Sequence, residues 1–117
     1  MYPTSWHTAN GASNISLTGS HPVSVSFASN QVIRSYVNCY PPQIGGNFHQ
    51  DDGDHTYLFF PDESENIEKL GDLQFKDGPT VSYKTNRLVV FDAKLHHRAD
   101  QNLTNQLRHT IAWKTLI

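Results

Sequence analysis

The chain has 117 residues and a formal net charge of -2, enough for one domain and with no basic stripe to argue for nucleic acid or an anionic membrane as partner. Hydrophobic residues make up 37% and charged residues 17%; with abundant Ser, Thr, Asn and aromatics, that balance suits a β protein better than a disordered one. The lone cysteine, Cys39, excludes an internal disulfide and a cysteine-built metal site, no stretch nears the ~18 apolar residues of a membrane span, and the absence of an apolar run in residues 1–10 predicts no secretory signal and a cytoplasmic location.

Residues 1–30 read as an irregular N-terminal segment of a single domain, 1–117. Within it, 8–20 is Ser/Asn/Gly/Thr-rich and reads as loop or weak edge strand, whereas 23–27 alternates Val-Ser-Val-Ser-Phe, a period-two strand pattern. Residues 31–40 are β-branched and aromatic and are stopped by Pro41, Pro42, Gly45 and Gly46. A buried aromatic strand is expected over 56–60, ended by Pro61. Residues 62–70 place acids early and Lys69 late, which complements a helix dipole and predicts one or two helical turns. Strands at 80–83 and 87–91 flank a Lys84-Thr85-Asn86 turn, and 110–115 alternates again. Short strands, turn signals and almost no helix predict a sandwich, jelly roll or barrel.

His49-Gln50-Asp51 is the first candidate for chemistry. In extended chain, residues i and i+2 point to one face, so His49 and Asp51 can converge on an ion while Asp52 points away. Two histidines and a carboxylate form the facial set that holds non-haem Fe(II) with open positions. Alone, the triplet is also what a polar loop edge looks like. A calcium loop starting at Asp52 is ruled out, because its sixth position needs glycine and is Tyr57. Cys39 reads as a buried small hydrophobe, His55 as a loop or substrate-side residue, and His109 as outward and solvated. Phe59, Phe60 and Trp113 read as packing residues.

Taken together, several pieces in order resemble the Fe(II)/2-oxoglutarate oxygenase superfamily, especially small microbial and phage-type members related to prolyl 4-hydroxylases. They are Tyr36-Val37-Asn38 with Tyr40, a Gly-rich turn, His49-Gln50-Asp51, the run from Asn86 to Asp92, His97, and Arg108-His109-Thr110. The resemblance covers roughly residues 33–114. It implies a double-stranded β-helix, a cupin-like jelly roll of about eight strands. It implies Fe(II) on His49, Asp51 and His97, with His97 preferred over His96 by its interval from Phe91. Arg108 would pair with the far carboxylate of 2-oxoglutarate, since guanidinium offers a planar fork and stays charged when buried. Thr110, Asn38 and Tyr40 would add cosubstrate contacts.

The implied reaction couples oxidative decarboxylation of 2-oxoglutarate by dioxygen to hydroxylation of an unactivated C–H bond, on a peptidyl proline or another protein side chain, with ascorbate as a reductant. Two other readings stand beside it: a cupin-like metalloenzyme without 2-oxoglutarate, and a non-enzymatic jelly-roll binding module. The 71–75 stretch, Gly-Asp-Leu-Gln-Phe, keeps only the glycine and phenylalanine of the stretch usual in relatives. Relatives also carry helices that brace the larger sheet; their lack here predicts an uncovered outer face or edge and a homodimer.

Overall fold

The computed structural model describes the backbone of residues 5–8 and all of residues 31–117. It is an all-β structure. The strands are β1 Ser5–Thr8, β2 Gln31–Tyr40, β3 His55–Phe60, β4 Leu73–Phe75, β5 Thr80–Val81, β6 Arg87–Asp92, β7 His97–Ala99 and β8 Arg108–Leu116. They form a five-stranded sheet in the order β1-β6-β3-β8-β2 and a three-stranded sheet in the order β5-β4-β7. Pairing is antiparallel except between β1 and β6, and neither sheet closes into a barrel. The only helix among the described residues is one 3-10 turn, Ile67–Lys69, where the sequence predicts one or two helical turns. The strand predicted over 23–27 lies outside the described residues, whereas Ser5–Thr8, within the segment expected to be irregular, is β1.

The core lies between the two sheets. Leu58 and Phe60 of β3, Val89 and Phe91 of β6 and Ala112 of β8 meet Leu73 and Phe75 of β4, Val81 of β5 and Tyr83. Each pair on a strand is two residues apart, the parity that puts them on one face. Phe60 stacks on Tyr83 with ring centroids 4.5 Å apart, and Phe75 meets Phe91 edge-on at 5.0 Å.

The opposite parity of the large sheet carries a second buried cluster of Tyr57, Leu88 and Val90, packed by Phe59 and Trp113. Of the uncovered outer face or edge that the sequence predicts, the face is buried over β3 and β6, which are apolar on both sides, the pattern of strands buried on both faces. The exception is β2, at the sheet's edge, where Val32, Ile33 and Val37 are exposed. Cys39 is exposed as well, so it is not the buried hydrophobe that its sequence suggests. It faces away from Asn38 and Tyr40, on the side of an edge strand that nothing described covers.

Candidate metal centre

His49 and His97 are direct cross-strand neighbours. Each backbone N–H donates to the other's carbonyl, both at 3.0 Å, in an isolated antiparallel bridge beside β7. Opposed residues in such a pair project to one face. Asp51, two residues past His49, joins them on that face. One ligand atom from each of His49, Asp51 and His97 lies within 4.8 Å of the others. His49 Nε2 is 3.5 Å from Asp51 Oδ1, and His97 Nε2 is 3.2 Å from Asp51 Oδ2. His96 is exposed, at the opposite parity.

The outward ring nitrogens orient both imidazoles. His49 Nδ1 donates to the Asn47 carbonyl and His97 Nδ1 to the Leu95 carbonyl, each at 2.8 Å. With Nδ1 as the donor to the backbone, Nε2 is the nitrogen directed at Asp51 and the one a metal would take. His97 is further held by the Phe91 ring, centroids 4.7 Å apart. At metal–ligand bonds of about 2.1 Å, neighbouring ligand atoms stand about 3.0 Å apart in octahedral geometry and about 3.4 Å in tetrahedral. The donor set suits a first-row divalent ion, and with its ligand atoms within 4.8 Å of one another this group could hold one.

Asp51 is buried at its side chain and heavily supported. Its Oδ2 accepts from the Thr56 hydroxyl at 2.6 Å and lies 2.5 Å from Lys114 Nζ. Burial by itself would raise the carboxyl's pKa. The contacts from His97, Lys114 and Thr56 outweigh that and hold it well below the ordinary carboxylate range.

A cavity of about 40 Å³ opens beside these groups. Its walls include His49, His97, Thr56, Lys114, Asn38, Tyr40, Arg108 and Thr110. The sheet register explains the grouping: Asn38 opposes Thr110, Tyr40 opposes Arg108, and Thr56 opposes Lys114. Of the site residues read from the sequence, His49, His97, Asn38, Tyr40, Arg108 and Thr110 line this cavity, and Asp51 lies beside it, in contact with Lys114 and Thr56 of its wall. Arg108 is buried, and its Nε and Nη2 both donate to the Gly71 carbonyl at 3.1 Å. Its guanidinium carbon lies 5.1 Å from the Tyr83 ring and 5.8 Å from that of Tyr40. Burial lowers its pKa from the ordinary value, yet a guanidinium stays charged. Among the described residues, no carboxylate lies within ion-pair distance of it.

Sequence reasoning does not reach Lys114 or Thr56. The signal was present in β8, where Arg108, Thr110, Ala112 and Lys114 share parity, so an inward Arg108 brings Lys114 inward too. Two other histidines differ from their sequence reading. His55 opens β3 rather than lying in a loop, and its Nδ1 is buried without a hydrogen-bond partner. His109 is half-buried, with Nδ1 3.0 Å from Asp62 Oδ1, and is not simply solvated. Among the described residues, no helix is long and apolar enough to cross a membrane.

No protein-family model and no curated protein matches this chain. Among solved structures, the capsular polysaccharide assembling protein CapF from Staphylococcus aureus is similar at a TM-score of 0.49 and 18% sequence identity, over 68% of this chain. The match spans 22% of the CapF chain.

Proposed function

We propose that this chain is an Fe(II)- and 2-oxoglutarate-dependent oxygenase built on a jelly roll. The observation that carries the reading is one cavity lined by His49 and His97 of the metal cluster and by a buried arginine that has no carboxylate within ion-pair distance among the described residues. A desolvated cation without a counter-ion is costly, and an anionic ligand would supply the missing partner. The strand order supports the jelly roll. With the His49 bridge added beside β7, the small sheet reads bridge-β7-β4-β5, opposite β2-β8-β3-β6 in the large one. That sets four rows against four, the bridge being a single residue pair and β1 an added strand outside β6, an arrangement compatible with a jelly roll.

In this reading His49 and His97 hold iron through Nε2, and Asp51 through Oδ1, the oxygen that Thr56 and Lys114 leave open. Arg108 receives the far carboxylate of 2-oxoglutarate, with Thr110, Asn38 and Tyr40 as polar contacts on the same wall. Leu58, Leu73, Phe91 and Ala112 line the cavity with apolar surface, which keeps water from the reacting groups. The bound metal, cosubstrate and dioxygen supply the oxidising chemistry; the net change is 2-oxoglutarate, dioxygen and a C–H bond to succinate, carbon dioxide and a hydroxyl group. A peptidyl proline or another protein side chain is the proposed substrate class.

The test is succinate formation under air with Fe(II), ascorbate and 2-oxoglutarate, together with 2-oxoglutarate binding to the Mn(II)-loaded protein. Turnover or binding that both His97→Ala and Arg108→Ala abolish supports the proposal. A protein that binds the metal but no 2-oxoglutarate is instead a cupin-like metalloprotein. The two bonds from Arg108 to Gly71 favour that second reading, since they would make the arginine a structural prop.

A further inference from the structure

The buried Lys114 has no role in the reading above, and its position is unusual for a cation. It is buried on β8 with its ammonium 2.5 Å from Asp51 Oδ2 and 3.4 Å from the Thr56 hydroxyl. Tyr36 covers it from β2, the ammonium lying 5.5 Å from the ring centroid. Both Lys114 and Arg108 line the cavity that adjoins the metal cluster. The cavity wall therefore carries two cations, Arg108 and Lys114, against the single negative charge of Asp51.

A divalent ion is drawn to a site by the negative charge of its ligands. Here the two histidines are neutral donors, and Lys114 cancels the charge of the one carboxylate. The bare ligand set is close to neutral, and a loaded site, with Arg108 added, is strongly positive. A protein built for tight metal retention would leave the carboxylate uncompensated. A protein that must hold a metal loosely but draw a dianion onto it would do what this one does. From this, and resting on the function proposed above, we infer that Lys114 is a charge-setting residue: its ammonium beside Asp51 exchanges cation affinity for affinity toward a dicarboxylate.

This role has a signature that mere structural support cannot imitate. Removing a prop from a metal site weakens metal binding. Removing a charge that opposes the metal strengthens it. Lys114→Met keeps the chain length and apolar stem of the lysine and deletes the charge. The Lys114→Met protein is expected to bind Mn(II) about tenfold more tightly than wild type, because even a well-screened unit charge near a divalent ion opposes it by that order. 2-Oxoglutarate should bind the Mn(II)-loaded variant about tenfold more weakly, by the same Coulomb argument with the sign reversed. Lys114→Arg, which keeps the charge, should stay near wild type on both measures.

Both affinities are read by calorimetric titration, with circular dichroism to confirm that each variant is folded. Should Lys114→Met not fold, Lys114→Gln takes its place with the same expected signs. Metal binding in a folded, uncharged variant that is unchanged or weaker overturns the inference, as does undiminished affinity for 2-oxoglutarate. If wild type binds no Mn(II), the proposed function itself falls and this inference with it. If wild type binds both probes and the variant shifts neither as stated, only the role of Lys114 falls.

Discussion

Replacing Arg108 with methionine separates a binding arginine from a structural one. The side chain donates twice to the Gly71 carbonyl and sits against the Tyr83 and Tyr40 rings. Leaving that carbonyl unpaired costs about 1–3 kcal/mol, and each ring contact contributes about 0.5–2 kcal/mol. Against this, the guanidinium is buried with no carboxylate partner among the described residues, and its desolvation costs several kcal/mol, which methionine avoids. The opposing terms nearly cancel, so the ligand-free Arg108→Met protein should unfold in urea within about 2 kcal/mol of wild type. Dicarboxylate binding has no such compensation. Removing one partner of a desolvated charge pair costs about 2–5 kcal/mol, a loss of roughly 30-fold to several thousand-fold in affinity. Calorimetric titration of 2-oxoglutarate into Mn(II)-loaded protein reads that loss. Unchanged affinity would refute the carboxylate role, and a stability loss above about 4 kcal/mol would show that Arg108 chiefly braces Gly71.

Other perturbations test the fold and the metal cluster. Phe60→Ala removes a fully buried ring stacked on Tyr83 and should cost about 3–5 kcal/mol by urea denaturation; a cost under about 1 kcal/mol would mean the two sheets do not pack as described. Gly71 has φ +109, and an added Cβ would lie 2.5 Å from the Asp100 carbonyl oxygen and 3.3 Å from Arg108 Nε. Gly71→Ala should therefore destabilise by about 2 kcal/mol or more and also weaken 2-oxoglutarate binding; a neutral substitution on both measures would contradict that backbone.

The folded Asp51 carboxyl titrates below the ordinary aspartate value of 3.8, so its stabilisation is present above that pH and is lost as pH falls toward the folded value. In metal-free protein, the stability gap between wild type and Asp51→Asn should be flat above pH 5 and narrow by about 1.4 kcal/mol per unit below 3.8. A gap that held constant down to pH 2 would remove the ionised network. Mn(II) at a hundred times its Kd should stabilise wild type by about 2.7 kcal/mol and leave His97→Ala unmoved. An equal thermal shift in both proteins would place the ion elsewhere.

The parts legible in the sequence are those that depend on local alternation. The bounds of β2 follow from its β-branched run and the prolines behind it. The shared faces of His49 with Asp51, of Asn38 with Tyr40, and of Arg108 with Thr110 follow from the two-residue period of extended chain. Parity says which residues travel together; it does not say what they meet. Tertiary pairing alone set His49 opposite His97, leaving His96 exposed. It also put Lys114 opposite Thr56 and so against Asp51, although the two are far apart in sequence. Cys39 shows the same limit from the other side. Its parity away from the cavity was readable, but whether that face is covered depends on β2 lying at the sheet's edge. Likewise Asp62, which reads locally as the start of a helical stretch, instead binds His109. Local propensity there is weak, and an ion pair to a distant strand outweighs it.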